Sequence, residues 1–86
     1  MNDKPVCEIP KNSRESYKFT LAEYKGHKFC DLRLFVKGEG EEAIRTQKGL
    51  TVSPALWPEF RAALDQIEAA MVQEGWLDRE DLEAQG

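Results

Sequence analysis

Over residues 16–21 the apolar Tyr17, Phe19 and Leu21 alternate with Ser16, Lys18 and Thr20, the period of two of a half-buried strand. Lys25-Gly26 supplies a turn. From His27 to Lys37 the alternation resumes, with Lys28, Cys30, Leu32, Leu34 and Val36 on one side and His27, Phe29, Asp31, Arg33, Phe35 and Lys37 on the other. The first set is nearly all apolar and must face a core, so the two runs predict an antiparallel hairpin. Residues 38–42 read as a polar loop. A third short strand is predicted over 43–47 and a fourth over 50–52, entered through Lys48-Gly49, where the glycine admits a bulge or tight turn. Parity does not assign the side to which Lys48 points.

The period then becomes helical. Ser53-Pro54 is a start signal, because serine caps a backbone N–H and proline at the first helical position has none to waste. Trp57, Phe60, Leu64, Ile67 and Met71 follow at spacings of 3, 4, 3 and 4, one apolar stripe of a helix predicted over 54–74. Gly75 suits the position after the helix end, with Trp76-Leu77 folding back to seal it. Residues 1–12, with Pro5 and Pro10, read as an extended arm, 13–77 as the domain, and 78–86 as an acidic tail that frays. The expected class is α+β: a four-stranded curved antiparallel sheet followed by one C-terminal helix. One helix cannot cover that sheet and also bury its own stripe and two tryptophans, so a homodimer is predicted.

Composition leaves this picture intact: 86 residues, 41% hydrophobic and 33% charged, make one globular domain. No apolar run approaches a membrane span, and the first residues lack a secretory layout, so a cytoplasmic or nucleoid-associated protein is expected. A net charge of −4 argues against a polyanionic partner until it is divided. Residues 1–10 carry −1, residues 11–48 nine cations against six anions, and residues 49–86 two cations against eight anions. The front is basic and the back acidic.

Candidate chemistry narrows to one surface. His27 is the only histidine, and no nucleophile elbow, phosphate loop or zinc-protease motif is present, so no catalytic residues are assigned. Cys7 and Cys30 read as structural thiols. His27 and Cys30, three apart on a strand, point to opposite faces and cannot share a metal. What remains is Phe29, Arg33, Phe35 and Lys37 on the outward face of the strand, with Tyr24 and Lys25 at the turn and Lys18 from the preceding strand. Cations neutralise phosphates while aromatic faces stack on unpaired bases. The same pattern also arises if Phe29 and Phe35 are covered by the arm, a loop or a dimer partner and Arg33 pairs with Asp31.

Three segments, Glu23-Tyr24-Lys25-Gly26-His27, Asp31-Leu32-Arg33-Leu34-Phe35 and Lys48-Gly49-Leu50-Thr51-Val52-Ser53-Pro54 with Trp57, together resemble the transcriptional positive cofactor four family, the single-stranded-DNA-binding coactivator domain. The resemblance covers about residues 11–74 and is to a compact bacterial-type member. It implies a dimer whose concave sheets bind single-stranded DNA or melted duplex, with no cofactor and no metal. Carried over by position, Tyr24 stacks on a base, Lys25 and Lys48 meet phosphates, Arg33 binds the backbone from the sheet and Phe35 fills an aromatic position. Trp57 matches a tryptophan of the core and dimer region, in line with Phe60, Leu64, Ile67 and Met71. Two departures stand out: Val36 where the family often has tryptophan, at a cost in stacking, and Gln47 where it is often basic.

The expectation is therefore a non-enzymatic transcriptional coactivator or regulator that binds single-stranded DNA with little sequence specificity. Two alternatives stay open. One is a dimeric protein-interaction module using the acidic helix and tail toward a basic partner such as the transcription machinery. The other is an RNA-binding regulator, since nothing in the sequence identifies a reader of the 2′-hydroxyl.

Overall fold

The computed structural model describes residues 2–84. In chain order the elements are β1 (Asn2–Pro10), β2 (Glu15–Tyr24), β3 (His27–Lys37), β4 (Ala43–Val52), a 3₁₀ turn (Pro54–Leu56), α1 (Trp57–Gln73) and α2 (Arg79–Ala84). The strands lie in the order β1-β2-β3-β4 and every neighbouring pair is antiparallel, so the expected open sheet followed by a helix is present.

Both edges of the sheet differ from the sequence reading. The expected extended arm is an edge strand, paired from Asn2↔Glu23 to Pro10↔Ser16. Proline lacks an N–H and is tolerated on an edge, and a register shift between Pro5 and Cys7 breaks the alternation that would have betrayed the strand. At the other edge, the two short strands expected over 43–47 and 50–52 are the single strand β4. Arg33 pairs with Gly49 and Phe35 with Arg45, leaving Thr46, Gln47 and Lys48 opposite Leu34. The Thr46 hydroxyl stitches this bulge: Oγ1 donates to the Leu34 carbonyl at 2.8 Å and accepts the Lys48 N–H at 3.1 Å.

The hairpin between β2 and β3 turns on two residues, Lys25 (φ 51°) and Gly26 (φ 81°). Positive φ at both is the type I′ geometry whose twist matches that of the flanking strands. Between β1 and β2, the Asn12 side-chain oxygen accepts the N–H groups of Arg14 and Glu15, each at 2.9 Å.

The register sorts side chains onto two faces. One carries Cys7, Ile9, Tyr17, Phe19, Leu21, Cys30, Leu32, Leu34, Val36, Ile44, Leu50 and Val52. Leu34 and Val52 of this set are buried, whereas Ile9, Tyr17, Leu21, Ile44 and Leu50 are exposed. Burial, and then the neighbouring Asp31 charge, pushes the Cys30 thiol above its ordinary value.

By their contacts the residues divide between Ala55 and Leu56 into a sheet unit and a helical unit. The division falls just beyond the end of the β-ladder at Val52. The start signal at Pro54 produces a 3₁₀ turn that straddles this division, and the α-helix proper begins at Trp57 without a side-chain cap. At its end, Gly75 (φ 79°) N–H reaches the Val72 carbonyl at 3.0 Å and Trp76 N–H the Met71 carbonyl at 2.9 Å, the paired bonds of a Schellman stop. Trp76 does not seal this end: it is 78% exposed, and Leu77 is the half-buried residue. The tail forms α2 instead of fraying. Acidic Glu80 and Asp81 occupy its first turn, where they favour the helix N-terminus; its last two residues, 85 and 86, lie outside the described residues. No helix among the described residues is long and apolar enough to cross a membrane.

Candidate nucleic-acid interface

The other face of the sheet carries the candidate chemistry. Odd-numbered side chains of β3 from His27 to Lys37 share it with Ser16, Lys18, Thr20, Ala22 and Tyr24 of β2, because Lys18 pairs with Arg33, Ser16 with Phe35 and Tyr24 with His27. From β4 the register adds Arg45 opposite Phe35, and Gly49 opposite Arg33. Of the residues the sequence singled out, Lys18, Tyr24, Arg33, Phe35 and Lys37 are thus brought to one surface, with Lys25 at its hairpin tip.

Two aromatic rings there each have an ammonium group above them. Lys18 Nζ lies 4.6 Å from the centroid of Phe35, and Lys25 Nζ lies 5.3 Å from that of Tyr24. Tyr24 is exposed; Phe29 and Phe35 are half-buried. Beyond Phe35 an open cleft runs between the β1–β2 turn and the end of β3, lined in part by Glu8, Arg14, Ser16, Phe35 and Lys37. Glu8 is engaged there by the Ser16 hydroxyl at 2.8 Å. Arg14 is spent on structure: its Nη2 donates to the Lys37 carbonyl at 2.8 Å, and its own carbonyl accepts the Lys37 N–H at 2.8 Å.

At the centre of the face sits a buried carboxylate. Asp31 Oδ1 accepts a charge-assisted bond from Arg33 Nη2 at 2.8 Å, and Arg33 Nη1 donates to the Gln47 carbonyl at 3.1 Å. The Arg33 and Asp31 side chains are only 12% and 11% exposed. Arg33 Nε is buried with no partner, alone of its kind among the described residues. The pairing of Arg33 with Asp31 is thus the arrangement adopted. Arg45 Nη2 stands 3.8 Å from Asp31 Oδ2, with its side chain 60% exposed. Sequence reasoning missed Arg45, since only the β4 register places it beside Phe35.

Lys48 is not brought to this group. Alternation from Gly49 turns it toward the side of Leu50. Its positive charge also helps, after the Asn12 hydrogen bond and Lys11, to hold Glu15 below its ordinary value, and Glu15 pairs with Val36 on that other side. His27 and Cys30 point to opposite faces as expected, His27 with Tyr24 and Cys30 with Leu21. Among the described residues no group of three or more His, Cys, Asp or Glu is placed to hold a metal.

In the helical unit, Trp57 and Phe60 stack obliquely with ring centroids 5.7 Å apart. Leu64 and Ile67 of the same stripe are exposed, and Phe60 and Met71 half-buried.

Comparison with solved structures matches this architecture. A PC4 homologue from Burkholderia pseudomallei superposes with a TM-score of 0.73 at 19% identity, over 78% of this chain and 98% of its own. A bacteriophage T5 homologue of the eukaryotic transcription coactivator PC4, implicated in recombination-dependent DNA replication, gives 0.65 at 20% identity over 96% and 98%. No curated protein matches the chain. The family model described as Transcriptional Coactivator p15 (PC4) matches residues 11–63, which takes in β2, β3 and β4 and runs from the β1–β2 turn to the first turns of α1; the chain belongs to that family of DNA-binding coactivators.

Proposed function

We propose that this protein binds single-stranded DNA on the polar face of its sheet, as a homodimer and without an enzymatic step, and acts as a transcriptional coactivator or regulator. The observation that carries the reading is the alignment of Lys18 with Phe35 and Lys25 with Tyr24 on one face, each pair within cation–π range. A strand laid across it exchanges these ammonium groups from ring to phosphate and puts bases on the rings. Stacking is worth about 1–3 kcal/mol per base against about 0.5–1 kcal/mol for an exposed cation–π contact, so the exchange is favourable. Lys37 and Arg45 extend the cationic track past Phe35. Since none of these groups reads a base edge, sequence preference is weak.

Dimerisation is supported by the stripe of α1: Trp57, Leu64 and Ile67 are exposed in the single chain, and a second copy of the same stripe would bury them. The reading as a protein-interaction module requires Phe29 and Phe35 to be buried in the dimer; the nucleic-acid reading requires their rings to stay open to a strand. The test is fluorescence anisotropy with labelled oligo-dT at low and moderate salt, competed with duplex DNA and with RNA. Tighter binding of the single strand that weakens with salt is expected; no binding, or equal binding of duplex, would sink the proposal, and preference for RNA would redirect it.

A further inference from the structure

We infer that Arg33 is a positioning residue, and that Arg45 is the arginine of this face that meets phosphate; the inference rests on the reading of the face as a nucleic-acid surface. A phosphate ligand must present its N–H groups to solvent. Arg33 does not: its side chain is 12% exposed, one N–H is given to Asp31 at 2.8 Å, another to the Gln47 carbonyl at 3.1 Å, and Nε is buried. Its stem crosses Gly49 so closely that a Cβ there would lie 3.2 Å from Arg33 Cδ. Arg33 therefore ties β3 to the β4 bulge from inside the sheet.

The tie also satisfies Asp31. A buried carboxylate left unpaired is strongly unfavourable and takes whatever cation is within reach. With Arg33 on Oδ1, the other cation, Arg45, stands off Oδ2 at 3.8 Å, beyond hydrogen-bond range. Arg45 stays 60% exposed beside Phe35, its pairing partner in β3. Arg33 thus takes up the short bond to Asp31 and leaves Arg45 only the longer ion pair, its guanidinium open to a ligand. Lysine in place of Arg33 keeps the charge but, as a compact ammonium without the planar fork, cannot span Asp31 and the Gln47 carbonyl together. Asp31 then draws Arg45 in.

The test compares wild type, R33K, R45A and the double variant R33K/R45A for oligo-dT affinity and its salt dependence. R45A should lose about tenfold in affinity and about 0.7 from the slope of log K against log salt, one phosphate contact on a single strand. R33K, at unchanged net charge, should show the same loss, and the double variant should be within about twofold of R45A, because the two changes disable one contact. R33K binding like wild type, or losses that multiply, would return the phosphate to Arg33. A second measurement needs no nucleic acid: the ¹H–¹⁵N NOE at arginine Nε should report Arg33 rigid and Arg45 mobile in wild type, with Arg45 rigid in R33K. A mobile Arg33 overturns the inference. If R33K does not fold, titration of wild type with oligo-dT decides, the Arg45 Nε resonance moving and that of Arg33 standing still, the reverse refuting it. If wild type binds no oligo-dT while Arg33 is rigid and Arg45 mobile, the nucleic-acid reading falls and the positioning role of Arg33 stands.

Discussion

Gly49 is the position at which the sheet tolerates least. It pairs with Arg33 across the β3–β4 ladder and has φ +154°. A Cβ built there would sit 2.9 Å from the Arg33 Cα and closer still to the Leu32 carbonyl oxygen. Both neighbours are backbone, so no rotamer change relieves the overlap and the strands must part. Overpacking of this kind costs about 1–3 kcal/mol, and a φ that L-residues rarely adopt adds about 1–3 kcal/mol. Gly49→Ala should therefore cost about 3 kcal/mol or more, set against roughly 4–13 kcal/mol of total stability for 86 residues. At about 4–8 °C per kcal/mol the midpoint falls by about 12–24 °C. Gly26→Ala is the control: its φ of +81° is strained for alanine, but nothing lies within 4 Å of the added Cβ, so about 1 kcal/mol and about 4–8 °C are expected. Thermal unfolding followed by far-ultraviolet circular dichroism reads both. A Gly49→Ala midpoint within about 3 °C of wild type, or a Gly26→Ala loss of equal size, refutes the steric argument.

Two further outcomes follow from the same geometry. Phe35→Ala should weaken oligo-dT binding by about 1–3 kcal/mol with little change in salt slope, whereas Lys18→Ala, which removes a phosphate contact but uncovers the ring, should lower the slope by about 0.7 while changing affinity at moderate salt far less; the opposite assignment of slope and affinity refutes the exchange of Lys18 from ring to phosphate. The Asn12 amide, donating to Glu15 Oε1 at 2.8 Å, and then Lys11 and Lys48, hold the Glu15 carboxyl below its ordinary 4.5. A folded value below the unfolded one means that the contribution to stability is present above the unfolded value and lost as pH falls through the folded one, so Asn12→Ala should move the Glu15 titration, read by carboxyl ¹³C shifts, upward toward 4.5. An unmoved titration would show that the hydrogen bond is not the cause.

The hairpin of β2 and β3 was legible because both strands alternate without interruption and Lys25-Gly26 leaves one turn type. α1 was legible because five apolar residues keep one stripe. β1 was not, because two prolines and a register shift hide the period, and edge pairing is a tertiary fact that no local signal carries. Joining the predicted third and fourth strands required the bulge, in which three residues face one. The site was half legible for the same reason. Parity on β3 grouped Arg33 with Phe35, but β4 carries the bulge between Arg45 and Gly49, so the side taken by Arg45 and by Lys48 depended on how it was closed. That Arg33 is inward-held could not be inferred from its type, since the same Asp-x-Arg spacing serves a free cation or a buried pair.

The bulge also resolves the objection raised by the acidic total. Net charge counts Asp31 and Arg33 as though each faced solvent, yet the two are paired at 2.8 Å and almost wholly buried. Of the remaining charges, eight anions and two cations lie in residues 49–86, all of them from Glu59 onward and so in the helical unit. On the proposed reading, the face offered to a strand of DNA is Lys18, Lys25, Lys37 and Arg45, with Glu8 engaged by Ser16. Four phosphate contacts on a single strand give a salt slope near about −2.8.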